Sequence, residues 1–187
     1  MANRARVLDA AREVFAEQGV AAEVKDIADR AGVGVATVYR GFGSKNDLLQ
    51  ATVERASESV AELLTTAENA NDPRDGLLQL VTGLLDYAES YGWLIQASLA
   101  DAEIDRLRVQ TRREENQGRA ARIIERSIQC GAIPGCIPVE VLRLLLEGAV
   151  LALAIRTRKH TPHPPAHEIA DGLFGLMTNS LQTGAVP

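Results

Sequence analysis

The sequence predicts an all-α protein of about nine helices, divided into an N-terminal part over residues 1–50 and a larger helical bundle over 51–187. Three observations predict it. Apolar residues recur at three- and four-residue spacing along most of the chain, the period of a helix with one face on a core. Aromatics make up only 4% of the residues while Ala and Leu are abundant, a balance that favours helices over sheets. No segment alternates apolar and polar residues as a half-buried strand does, and no internal repeat is present.

The elements follow in order. Residues 4–18 place Val7, Leu8, Ala11, Val14 and Phe15 on one helical face, and Gly19 follows where a helix commonly ends. Val24, Ile27, Ala28 and Ala31 give two further turns that stop at Gly32, and a second short segment covers about 35–41. Ser44 opens a long helix to about residue 68: it is a fair N-cap, Asp47 stands three positions on as in a capping box, and Leu48 and Leu49 start the apolar stripe. The run NDPRDG at 71–76 breaks the chain, with Pro73 near the start of the next helix, which carries Leu77, Leu80, Val81, Leu84, Leu85 and Ala88. Tyr91-Gly92-Trp93 is expected to interrupt that helix, with another beginning soon after. Residues 103–129 form a highly charged amphipathic run with Ile104, Leu107, Ile123, Ile124 and Ile128 available for packing. Gly131, Pro134, Gly135 and Pro138 make a linker, after which Val139, Leu142, Leu145, Leu146, Ala149, Val150 and Leu153 supply another long apolar face. HTPHPP at 160–165 separates this helix from the last, Ala166 to about Leu181.

Composition narrows the function classes. At 187 residues, 46% hydrophobic and 24% charged, the chain is long and apolar enough to bury a core without metals or disulfides. Its two cysteines, Cys130 and Cys136, demand no oxidising compartment, and nothing beside them lowers a thiol pKa for redox sensing. Charges occupy the N-terminus where a signal peptide would be apolar, and no run of eighteen apolar residues occurs, so the chain reads as cytoplasmic with no membrane partner. His160, His163 and His167 lie near Glu168, but Pro162, Pro164 and Pro165 prevent one helical ligand face across them, so no metal is expected. Nucleophile elbow, Walker loop, dinucleotide fingerprint and HExxH motif are all missing, which argues against an enzyme, and no cofactor is expected. Tyr87, Tyr91 and Trp93 gather three of the seven aromatics in one stretch. They are either ordinary core or the wall of a mostly apolar ligand pocket between bundle helices.

The formal net charge of −5 gives no global attraction to nucleic acid. Residues 1–50 are balanced, with seven Lys or Arg against seven Asp or Glu. Any grip on DNA must therefore come from a local arrangement. Residues 24–50, VKDIADRAGVGVATVYRGFGSKNDLLQ, supply one, because two short helices around AGVG are what a helix-turn-helix needs. Gly32 falls at the sharp turn, and Ala28 is small where the helices cross. With Val33, Val38 and Phe42 turned inward, Val35, Ala36, Thr37, Tyr39 and Arg40 are left for a major groove. Thr37 and Tyr39 carry hydroxyls for a base edge or phosphate. Lys25, and Lys45 in the first turn of the next helix, complete the candidate DNA-contacting set.

These residues resemble the N-terminal DNA-binding domain of the TetR family of transcriptional regulators. The similarity is carried by Val14-Phe15-Ala16-Glu17-Gln18-Gly19, Asp26-Ile27-Ala28, Ala31-Gly32-Val33, Ala36-Thr37-Val38-Tyr39, Phe42, Ser44-Lys45 and Leu48-Leu49. It covers about residues 5–50, while the remainder matches only in helix count and order. The resemblance implies a homodimer with paired heads on a near-palindromic double-stranded DNA operator. It further implies repression until a small-molecule effector binds the C-terminal ligand-binding and dimerisation domain. Two positions depart from the family pattern. Glu23 stands where a capping Thr or Ser is common, which sets a negative charge beside the phosphate approach, and Gly41 stands where His is frequent, which removes one contact. The alternative is a helical small-molecule-binding or scaffolding protein whose head is kept only for packing.

Overall fold

The computed structural model describes residues 2–99, 106–133, 135, 137–158 and 162–179. Among these residues the chain forms eight α-helices and one turn of 3-10 helix, and no strand. The helices are α1 (Ala2–Gln18), α2 (Val24–Ala31), α3 (Val35–Phe42), α4 (Lys45–Glu68), α5 (Pro73–Leu99), α6 (Arg106–Gln129), α7 (Val139–Arg158) and α8 (Ala166–Asn179), with the 3-10 turn at Gly19–Ala21.

The expected break at Tyr91-Gly92-Trp93 does not occur: α5 runs unbroken from Pro73 to Leu99. The reason is packing. A Cβ on Gly92 would stand 2.7 Å from Ala154 Cβ and 2.8 Å from Ala154 Cα, so the glycine lets α5 and α7 cross at close range. Gly83 and Gly76 act likewise on α4, where an added Cβ would meet Leu63 Cδ1 at 2.3 Å and the Ala67 carbonyl at 2.6 Å. These two pairings run in opposite directions along the chain, so α4 and α5 are antiparallel. Each interior glycine lowers helix propensity by about 1 kcal/mol, which the close crossing must offset.

Two apolar clusters make the core. One gathers Val7, Ala11, Val14 and Phe15 of α1, Ile27 and Ala28 of α2, Val38 of α3, Leu48, Leu49, Val53 and Ala56 of α4, and Tyr91, Trp93 and Leu94 of α5. The other gathers Leu64 of α4, Leu77, Leu80, Val81 and Leu85 of α5, Ile123 and Ile124 of α6, Leu142, Leu146 and Leu153 of α7, and Phe174 of α8. Helices α4 and α5 contribute to both, so they are the struts between head and bundle. Phe15 and Trp93 meet across the joint with ring centroids 5.0 Å apart.

Ion pairs fasten the exteriors. Arg30 of α2 donates to Glu13 at 3.1 Å and to Glu17 at 2.8 Å, tying α2 to α1. Arg119 of α6 donates from Nε to Glu68 at 3.0 Å and from Nη2 to Thr65 at 2.9 Å, while Arg126 donates to the Glu68 carbonyl at the end of α4 and to the Ala70 carbonyl just beyond it.

Candidate nucleic-acid interface

The head is set by its turns. Gly32 takes the left-handed conformation at φ +64°, and Val33 N–H donates to the Ala28 carbonyl at 3.0 Å, closing α2. Gly34 is extended and its carbonyl accepts from Thr37 N–H at 2.8 Å, which starts α3. At the other end Gly43, at φ +87°, donates to the Tyr39 carbonyl at 2.7 Å. Two glycines, Gly34 and Gly43, thus bound a helix of 8 residues. Ser44 then caps α4 as the sequence predicts: its Oγ accepts from Asp47 N–H at 3.0 Å and donates to the Asp47 carboxylate at 2.6 Å.

The faces of α3 separate cleanly. Val38 is 2% exposed, and Phe42 and Val33 pack on the head cluster, whereas Val35 and Tyr39 are 37% and 46% exposed. Val35 and Tyr39 lie one turn apart on a single line, with Ala36 and Arg40 exposed beside them. Thr37 is half-buried, and its Oγ1 accepts from Arg40 Nη2 at 3.4 Å, so these two expected contacts form one unit. Lys45 is half-buried at the first position of α4. Lys25 is exposed at the second position of α2, next to Glu23, whose side chain makes no cap there. An apolar patch flanked by hydroxyls and a guanidinium suits thymine methyls, base edges and phosphates in one groove.

Spacing alone did not single out Arg4 and Arg30. Arg4 belongs to α1 yet reaches the end of α3, where its guanidinium carbon lies 4.3 Å from the Phe42 ring centroid. Arg30 is held charged by Glu17 and Glu13, which raise its pKa beyond the ordinary arginine range. The signal for that pair was the spacing of Glu13 and Glu17, one helical turn apart on the exposed side of α1.

Tyr87, Tyr91 and Trp93 lie in the head cluster or against it. Tyr87 and Tyr91 stack at 5.1 Å, burial raises the Tyr87 hydroxyl pKa, and Trp93 is 3% exposed, with its buried indole N–H unpartnered among the described residues. A separate shallow cleft lies at the far end of α4, lined by Ala67, Glu68, Pro73, Arg122, Ile123 and Arg126. His163 faces the Pro164 carbonyl at 2.9 Å and Glu89 at 3.8 Å, and among the described residues no three metal-ligating side chains converge. His160, Cys136 and Ile104 lie outside the described residues, and Cys130 is exposed. None of the described helices is long and apolar enough to cross a membrane.

Residues 7–52 match the family model of bacterial regulatory proteins of the tetR family. The chain is similar to the HTH-type transcriptional regulatory protein RaaS of Mycobacterium tuberculosis, 30% identical over 55% of this chain and 48% of that protein. It spans about half the length of the curated relatives it matches first. In fold it is similar over nearly its whole length to PfmR, a TetR family transcriptional regulator from Thermus thermophilus. The TM-score is 0.70 at 23% identity, covering 94% of this chain and 98% of that one. The fold is shared too by the transcriptional regulator FadR of Bacillus subtilis, solved in complex with stearoyl-CoA, with TM-score 0.62 at 18% identity over 94% and 98% of the two chains. Residues 7–52, with their glycine-bounded α2–α3 turn, thus match the helix-turn-helix head of the tetR family, and the whole chain shares the all-α fold of these regulators, a head joined to a helical C-terminal domain.

Proposed function

We propose that the protein is a ligand-responsive DNA-binding transcriptional regulator, a homodimer that represses from a near-palindromic operator in the cytoplasm. Residues 1–50 act as the DNA-binding domain and 51–187 as the effector-binding and dimerisation domain. The observation that carries the reading is the division of α3: Val38 and Phe42 inward, Val35, Ala36, Tyr39 and Arg40 outward, inside the stretch that matches the family. Val35 and Ala36 meet thymine methyls, Thr37 and Tyr39 meet a base edge or phosphate, and Lys25, Arg40 and Lys45 neutralise phosphates.

Dimerisation is supported by the apolar surface of the last two helices. Leu144 and Leu145 of α7 and Leu176 of α8 are 56%, 58% and 70% exposed, far more than a terminal helix pair facing water needs. A two-fold seam there pairs the heads and sets the half-site spacing at about one duplex turn or a multiple of it. Regulation is supported by the joint. An apolar effector seated against Tyr87, Tyr91 and Trp93 would part Trp93 from Phe15 and so shift α1 against α5. An effector acts only to the extent that it binds the two arrangements with different affinity.

Selection of binding sites from a random duplex library, repeated with Lys45→Ala and Tyr39→Phe, tests the DNA reading. The wild type should enrich a palindrome. Lys45→Ala should weaken every sequence and lower the salt slope by about one. No enriched palindrome at low salt, or two variants that bind unchanged, refutes the assignment. Thermal-shift screening, with long-chain acyl-CoA among the first probes because a protein of this fold holds stearoyl-CoA, tests the effector. Hits that leave operator affinity unchanged count against regulation, and a gene-deletion reporter that falls rather than rises counts against repression.

A further inference from the structure

The carboxyl end of α3 has a tie to the rest of the head that its own sequence does not supply. Arg4, in the first turns of α1, donates from Nη1 to the Gly41 carbonyl at 3.1 Å, and its guanidinium carbon stands 4.3 Å from the Phe42 ring centroid. The last carbonyls of a helix have no partner within it, and they form the negative end of its dipole. A guanidinium placed there pairs one carbonyl, complements the dipole and covers the Phe42 face. Gly41 leaves the approach open, since a Cβ at that position would meet nothing within 4 Å. The tie spans 37 residues of sequence, and Arg4 itself is exposed, so it belongs to no core.

We propose that Arg4 is a positioning residue for the recognition helix: it clamps the last turn of α3 to α1 and so fixes the direction in which Tyr39 and Arg40 leave the head. This rests on the reading of α3 as the DNA-reading helix. The helix has only two turns, with Val38 its one buried side chain and Phe42 half-buried at the end. Rotation about Val38 is the motion that a contact at Gly41 and Phe42 opposes. Lysine in place of Arg4 keeps the charge but lacks the planar fork that bonds a carbonyl and stacks on a ring together.

The test uses the full chain with Arg4→Ala and Arg4→Lys. Both should fold, because the side chain is exposed. In the free protein, hydrogen exchange at the Gly43 amide, which closes α3 on Tyr39, should quicken by at least about threefold in Arg4→Ala, since that variant loses both an exposed cation–π contact and a charged hydrogen bond. Affinity for the selected operator should fall by a similar factor with the salt slope unchanged, and Arg4→Lys should recover less than half of either loss. Unchanged exchange overturns the proposal, as does faster exchange with operator affinity intact. A salt slope lowered by about one, with full recovery by lysine, also overturns it, because Arg4 would then be a phosphate contact. If the wild type selects no operator, the reading of α3 fails on that result, while the exchange measurement still decides whether Arg4 clamps the helix.

Discussion

Replacing Gly92 by alanine should destabilise the protein although alanine is the better helix former. In the interior of α5 the exchange favours the helix by about 1 kcal/mol. Against this, the new methyl would stand 2.7 Å from Ala154 Cβ and 2.8 Å from Ala154 Cα, where ordinary contact begins near 3.4 Å. A Cα cannot swing aside as a side-chain tip can, so α5 and α7 must separate by several tenths of an ångström along their crossing. Overpacking of this kind costs about 1–3 kcal/mol. The net loss reaches about 2 kcal/mol at the upper end of that range, and at roughly 2–4 °C per kcal/mol for a chain of this size the midpoint then falls by about 4–8 °C. Gly118→Ala is the matched control. On α6 its Cβ would meet nothing closer than Arg122 Nη1 at 3.8 Å, so it should gain most of the helix propensity and melt higher. Thermal unfolding of both variants at one protein concentration decides the matter. If Gly92→Ala melts as high as Gly118→Ala, the close crossing of α5 and α7 is not what the glycine serves.

Three further outcomes are expected. Val35→Ser should change which operators are enriched while leaving the salt slope unaltered, since an apolar side chain senses a methyl group and neutralises no phosphate; an unchanged selected sequence refutes this. Arg119 lowers the Glu68 pKa, chiefly through their hydrogen bonds, so the pair's contribution of about 0.5–1 kcal/mol is complete above the unfolded carboxylate range and lost as pH falls through the depressed folded value. The stability gap between wild type and Glu68→Gln should accordingly be flat near neutrality and close on acidification; a gap that widens in acid contradicts it. Leu144→Glu with Leu145→Glu should yield a monomer by sedimentation with its helix content intact, because both side chains lie outside the core, and a persistent dimer would place the seam elsewhere.

Much of the head was legible because its signals are local. Gly32 marks a left-handed turn, Ser44 and Asp47 form a capping box, and Val38 and Phe42 stand one helical turn apart with Val33 in the turn before them, all within a few residues of one another. The site's supports were less legible. Arg4 reaches Gly41 across 37 residues, and no periodicity encodes such a contact. The misread segment was Tyr91-Gly92-Trp93, where a glycine between aromatics looks like punctuation. Its role becomes visible only with Ala154 of α7 in place, since a glycine at a turn and one at a helix crossing are identical in a single sequence. The same ambiguity applied to the aromatics. Tyr87, Tyr91 and Trp93 were legible as a group, but their partner Phe15 lies in α1, so their seat at the joint depends on tertiary contact.

The placement of Trp93 also gives the protein a spectroscopic voice of its own. It is the sole tryptophan in the chain, 3% exposed, and packed on Phe15 where the head meets the bundle. Indole emission shifts to the blue in an apolar surround and to the red on contact with water, so the unlabelled molecule reports the state of that joint. An event confined to the recognition helix leaves the emission maximum where it was. One that opens α1 from α5 moves it, and in a stopped-flow mixing experiment the time course of that shift gives the rate at which the head parts from the bundle.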